Sequence, residues 1–261
     1  MADPLALLQA IYTQDPCRTL PNAFWKTAVR IQESDISISR DGSGALSSLV
    51  IWEKGHIMAF WCADPAHHPL TQDEIDRAPF ALVHAQALPV FEQREFTHQK
   101  PYFRLVNQGI SRVYPCPSGF QLEIVDPEKD LTDVVSILRA CYPRIKINRR
   151  IVQPWLSHPV YDPQLWLWAV DLQTGVKAGL GIAERDPQVQ EASLEWIQVL
   201  PAYQGKGLGK AIVTELVRRV SGKVKFTTVS GEVENKSRPE VLYRGCGFVG
   251  QDIWWLFSDK V

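Results

Sequence analysis

The chain has 261 residues, 45% of them apolar, and 28 Lys+Arg against 29 Asp+Glu leave a formal net charge of -1. The length allows one large or two modest domains, and the charge balance excludes both a basic nucleic-acid face and an acidic disordered tail. No apolar run approaches the roughly 20 residues of a membrane helix, Asp3 stands where a leader would be basic, and the five cysteines contain no Cys-x-x-Cys pair. The expectation is a cytoplasmic protein with reduced thiols and no metal site, binding neither nucleic acid nor membrane.

Asp3-Pro4 ahead of Leu5, Leu7, Leu8 and Ile11 predicts a short N-capped helix with proline at its first position. Ile36 and Ile38 alternate with serines, and Asp41-Gly42-Ser43-Gly44 is a turn. Runs at 49–52 and 56–61 flank Lys54-Gly55 as a hairpin, and 102–106 is a further strand. These elements predict a small α+β domain over residues 1–118. It is either a degenerate copy of the domain that follows or a simple cap. The connector Tyr114-Pro115-Cys116-Pro117-Ser118-Gly119 ends it. His67-His68 reads as a surface loop, and most of the nine tryptophans lie in strand-like runs and read as core.

Residues 119–261 predict a second α+β domain. A strand at 120–125 leads to Asp126-Pro127 and a helix striped by Leu131, Val134, Val135 and Leu138. A second helix over 149–156 contains Pro154. Strands follow at 165–170, 176–183 and 193–199, the first two joined by Gln173-Thr174-Gly175. Pro201 stops the last one, and a glycine-rich turn opens a helix striped by Leu208, Ile212, Val213, Leu216, Val217 and Val220 and ended by Gly222. A strand through Val224, Phe226 and Thr228, a helix from Asn235 to Arg244 interrupted by Pro239, and a strand over 248–257 complete the chain.

The order strand, glycine turn, helix builds an anion cradle, because the first N–H groups of a helix lack internal partners and sit at the positive end of its dipole. A P-loop would need Gly at 204 and Ser/Thr at 211, where Gln204 and Ala211 stand. A dinucleotide fingerprint would need a third glycine where Lys210 or Ile212 stands. The pattern Gln/Arg-x-x-Gly-x-Gly/Ala fits Gln204-Gly205-Lys206-Gly207-Leu208-Gly209 at every fixed position. This stretch, with its Val199-x-Pro201 approach, resembles the acetyl-CoA loop of the GNAT family of N-acetyltransferases. Tyr243-Arg244-Gly245-Cys246-Gly247-Phe248 downstream resembles the family's Tyr-x-x-x-Gly-Phe segment.

The resemblance implies a mixed, mostly antiparallel sheet flanked by helices and splayed to admit the pantetheine arm. Backbone groups of Ile197 and Val199 would pair with that arm. The loop Gln204, Gly205, Lys206, Gly207, Leu208, Gly209 and Lys210 would hold the pyrophosphate, and Asn235 would contact pantetheine. Tyr243 would protonate the leaving thiolate. Glu195 would be the general base, its parity placing it on one face with Ile197 and Val199, with Glu232 and Glu234 as rivals. Cys246 reads as a small buried residue. The implied function is acetyl transfer from acetyl-CoA to a primary amine on a small molecule or a protein. A non-catalytic acyl-CoA-binding or regulatory module, and transfer of another acyl group, are the other readings.

Overall fold

A computed structural model describes residues 3–109, 113–142 and 145–259. The chain packs as two compact units, one of Met1–Val106, Ser230–Glu240 and Gly250–Val261, the other of Asn107–Val229 and Val241–Val249.

In the first unit, α1 (Pro4–Tyr12) starts as its sequence dictates, with the Asp3 carboxylate accepting the Leu5 N–H at 3.0 Å. Two short helices follow, α2 (Pro16–Thr19) and α3 (Phe24–Ala28). Strands β1 (Ser34–Arg40), β2 (Leu46–Glu53) and β3 (His56–Cys62) form an antiparallel meander, with Lys54 and Gly55 in left-handed conformation at the predicted hairpin turn. The chain then crosses over through α4 (Gln72–Arg77) to β4 (Phe80–His84), which runs parallel to β3, and continues to β5 (His98–Asn107). Periodicity did not reveal α4 and β4. Each is short, and β4 is buried at four of its five residues, so it shows no alternation.

The second unit begins with β6 (Phe120–Ile124) and α5 (Pro127–Cys141), which buries Leu131, Val134, Val135, Ile137 and Leu138. The predicted helix over 149–156 is one α-turn, α6 (Arg149–Val152), followed by a 3₁₀ turn at Gln153–Ser157. Pro154 sits at the start of that turn, where its missing N–H costs nothing. Strands β7 (Trp166–Asp171), β8 (Lys177–Asp186) and β9 (Glu191–Val199) are antiparallel to their neighbours; α7 (Leu208–Val220) then crosses to β10 (Phe226–Glu232), parallel to β9. The strand order is β6-β7-β8-β9-β10.

The last helix, α8 (Pro239–Gly245), is shorter than the predicted Asn235–Arg244 span. Arg238 takes a positive φ of 49°, and Pro239 opens the helix instead of interrupting it. Strand β11 (Val249–Ser258) then pairs antiparallel with β4, from Trp254↔His84 to Ser258↔Phe80. The first unit's order is therefore β1-β2-β3-β4-β11-β5. A boundary read as one cut at 118/119 thus differs from packing in which the C-terminal strand joins the N-terminal unit. Among the described residues, no helix is long and apolar enough to cross a membrane.

Both faces of β8 are used. Leu180 and Ile182 pack with α5, Trp166 and Trp168, whereas Gly179 and Gly181 point the other way, at α7. A Cβ at Gly181 would overlap Ile212 Cγ2 and lie 3.1 Å from Leu216 Cδ1. Glycine at this position lets α7 settle onto the sheet with Ile212 and Leu216 fully buried, which fixes where its N-terminus emerges. Gly181→Ala should therefore cost about 1–3 kcal/mol through overpacking, seen as a fall in Tm of about 2–4 °C per kcal/mol. An unchanged Tm would show that α7 is not seated on β8 in this way.

Candidate functional site

Strand β9 ends at Pro201, which opens a 3₁₀ turn, Pro201–Tyr203. Gln204 is extended, and Gly205 and Gly207 have φ of 77° and 89°, a region closed to most side chains. Gly207 is the N-cap of α7 and brings no side-chain acceptor, and the first turn holds no acid. The other helices of this unit for which a cap is defined differ: Asp126 caps α5 by accepting from Glu128, and Asn148 caps α6 by accepting from Ile151. The leading N–H groups of α7, at the positive end of its dipole, are thus presented to an anion. The Gln204 carboxamide donates to the Val199 carbonyl at 3.2 Å and folds the loop back on the strand end.

The two lysines of the loop rest on aromatic rings. Lys206 Nζ lies 4.8 Å from the Tyr203 ring centroid and 5.7 Å from that of Phe120. Lys210 Nζ lies 4.7 Å from the Tyr114 centroid, and the Tyr114 hydroxyl donates to the Gly245 carbonyl at 3.2 Å. These cation–π contacts hold both charges beside the loop. Tyr114 and Phe120 are far away in sequence and carried no signal of this role.

The edge of β9 changes character halfway along. Its parallel register with β10 runs from Phe226↔Glu191 to Val229↔Leu194. On the other side, β8 pairs Ala183 with Leu194 but Ile182 with Trp196, so Glu195 is the extra residue of a β-bulge. Leu200 N–H donates to the Ala178 carbonyl at 2.9 Å. In an antiparallel ladder, polar groups of alternate residues face alternate edges. The backbone groups of Ile197 and Val199 therefore point away from β8, along the stretch where the β10 register has ended. The bulge bears directly on the parity count along this strand. Glu195 lies where the β8 register shifts, between Leu194 and Trp196.

Tyr243 is brought to this strand by α8. A Cβ at Gly209 would lie 3.3 Å from Leu242 Cδ2, so α8 packs on the first turn of α7. The Tyr243 ring meets Phe248 edge-on at 5.8 Å. The residue is buried, and burial pushes its phenol well above the usual tyrosine value. Tyr142, Cys246 and Glu195 reinforce the shift. Tyr243 and Glu195 therefore share one electrostatic neighbourhood. Tyr142, which no motif flagged, belongs to it too, with its ring edge-on to Trp196 at 5.7 Å. Burial raises the Cys246 thiol to about 11, which suits a buried structural residue.

Asn235, Glu232 and Glu234 belong to the first unit. The Asn235 carboxamide oxygen accepts from Ser237 N–H at 3.0 Å and from Ser237 Oγ at 2.8 Å, closing a local turn. Glu232 pairs with Lys100 at 3.2 Å. His67 is exposed and bonded to Asp64, as expected of a surface loop. Of the tryptophans, Trp61, Trp166, Trp168 and Trp254 are core residues, and the others are half-buried.

Residues 163–250 match the family model described as an acetyltransferase (GNAT) domain. No curated protein matches the chain. Among solved structures, a GNAT-family acetyltransferase from Colwellia psychrerythraea has a TM-score of 0.64 at 14% identity, covering 98% of this chain and 96% of that one. A GCN5-related N-acetyltransferase from Sphaerobacter thermophilus has a TM-score of 0.63 at 16% identity, covering 86% and 79%. A tandem GNAT protein from the clavulanic acid biosynthesis pathway has a TM-score of 0.55 at 12% identity, covering 99% and 94%. The fold is thus the GNAT fold, and residues 163–250, which follow an additional N-terminal region, match the model of an acetyltransferase (GNAT) domain.

Proposed function

We infer that the chain transfers an acetyl group from acetyl-CoA to a primary amine. The observation that carries this reading is that the uncapped N-terminus of α7 follows directly on a strand edge whose backbone groups point outward. A diphosphate ester with an amide-bearing arm matches that pair of surfaces. When bound, acetyl-CoA supplies an already activated acyl group. The N–H groups from Gly205 to Lys210, with the Lys206 and Lys210 charges, hold the pyrophosphate. Ile197 and Val199 pair their backbone groups with the pantetheine amides, as a further strand would.

Glu195 takes a proton from the acceptor ammonium, directly or through water, and frees the nitrogen lone pair for attack on the carbonyl carbon. As the C–N bond forms and the C–S bond breaks, Tyr243 O–H donates to the departing sulfur. Burial suits Tyr243 to this task, because a phenol that resists ionisation always carries the proton it must give.

The first unit repeats the run β7 to β10 of the second: three antiparallel strands, a helical crossover, then a parallel strand. Its crossover helix differs at the tip. The Thr71 hydroxyl and Glu74 carboxylate close a capping box on α4, so a carboxylate already stands where an anion would bind. On this reading the chain binds one equivalent of acetyl-CoA.

Calorimetry should give one acetyl-CoA per chain, and a second equivalent would overturn the role given to the capping box. At about a hundred times Kd, acetyl-CoA should stabilise by about 2.7 kcal/mol and raise Tm by about 5–10 °C. No shift would count against transfer and against a non-catalytic acyl-CoA module alike. Tyr243→Phe should lower kcat by about 10²–10⁴ with little change in the KM for acetyl-CoA; full turnover would remove Tyr243 from the mechanism.

Tyr243 also makes a prediction in the absence of substrate. The unfolded chain ionises this phenol near the ordinary value of 10.0, whereas the folded chain keeps it protonated. Its contribution to stability is fully present below that pH and declines above it. Ultraviolet difference titration of the native protein against Tyr243→Phe should show no phenolate step at the ordinary tyrosine value. A step at the ordinary value would mean a solvated phenol.

A further inference from the structure

The second unit carries an aromatic wall that the transfer chemistry does not use. Trp155 stacks on Trp196 with ring centroids 5.8 Å apart and planes 15° from parallel. Tyr142 meets Trp196 edge-on at 5.7 Å, and Trp155 meets Trp166 edge-on at 6.3 Å. Trp166 and Trp168 are each 1% exposed and belong to the core, whereas Tyr142, Trp155 and Trp196 rest on that core and remain half-buried. Aromatic surface of this size costs free energy to leave in water.

The wall adjoins the reacting groups. Trp196 directly follows Glu195, which the β8 register leaves unpaired between Leu194 and Trp196, so strict alternation is interrupted there. Tyr142 links the wall to Tyr243 electrostatically. Besides burial, the groups that act on the Tyr243 phenol include Tyr142, Cys246 and the Glu195 carboxylate. An ammonium group is favoured here by a carboxylate and by ring faces, and an acceptor carboxylate is disfavoured.

We propose that the acceptor is a primary arylalkylamine without an acidic group, its ring lying against Trp155, Trp196 and Tyr142 and its amine reaching Glu195 and Tyr243. Trp196 and Glu195 are consecutive residues of β9, so the arm between ring and amine is short. Ring-to-ring spacings of about 4.5–7 Å within the wall are those a further aromatic ring would adopt. This proposal rests on the acetyl-transfer reading, and it adds what sets the acceptor.

The test follows CoA thiol release with the full chain and acetyl-CoA, using phenethylamine, butylamine, phenylalanine and a lysine-containing peptide. Phenethylamine should exceed each of the others in kcat/KM by tenfold or more. Trp155→Ala should raise the KM for phenethylamine at least tenfold with the KM for acetyl-CoA unchanged, and Trp155→Phe should restore much of the preference. Tryptophan fluorescence titrated with phenethylamine provides a readout independent of turnover: saturable quenching is expected in the native chain and should weaken in Trp155→Phe. If butylamine or the peptide is the better substrate, the aromatic acceptor is wrong and the transferase reading stands. If acetyl-CoA binds but no amine reacts and phenethylamine gives no quenching, both fall. Saturable quenching without turnover would keep the aryl site and reject transfer.

Discussion

The second unit depends on how β9 gives up one of its two neighbours. Up to Leu194 it is an interior strand, paired with β8 and β10. At Glu195 the bulge adds a residue, and beyond it the backbone groups of Ile197 and Val199 face an edge that the β10 register no longer serves. Backbone N–H and C=O groups demand partners, and at the Val199 carbonyl the Gln204 carboxamide supplies one. Pro201 then ends the strand, and α7 begins within the same loop. Strand edge, bulge carboxylate and helix tip are thereby held in one short stretch of chain.

What seats that stretch is packing at a distance from it. Gly181 gives Ile212 and Leu216 room to bury against β8, and Leu242 closes on Gly209 from the other side. Hydrophobic contact thus sets the position of α7 from behind and of α8 from in front, and Tyr243 follows from α8. A buried phenol held among Phe248, Tyr142 and Glu195 is the outcome of those contacts and not of any local preference of the helix.

Two helices at corresponding points of the two strand runs differ in how their first N–H groups are served. Both connect an antiparallel strand to a parallel one. In α4 the Thr71–Glu74 box satisfies the leading N–H groups from within. In α7 the same groups follow Gly207, which has no side chain to offer. Chain-level likeness to GNAT structures extends over both units, but this tip chemistry is confined to the second.

Much of this was legible in order along the chain. Asp3-Pro4 and Asp126-Pro127 mark helix starts, the Lys54-Gly55 hairpin and the α7 stripe are local patterns, and Gln204 to Gly209 states the loop outright. Local free-energy preferences decide these, so composition within a few residues is sufficient. The short buried strand β4 lacked alternation, and Pro239 opens a helix that its position seemed to break. The bulge at Glu195 was invisible, because it is a mismatch in count between two strands and neither strand contains it alone. The sequence by itself determined the GNAT fold, the glycine loop ahead of α7 and the tyrosine motif of α8. Only the tertiary structure decided that Tyr142 shares the electrostatic surroundings of Tyr243, that Trp155 stacks on Trp196, and that β11 pairs with β4, because packing joins residues that share no local pattern.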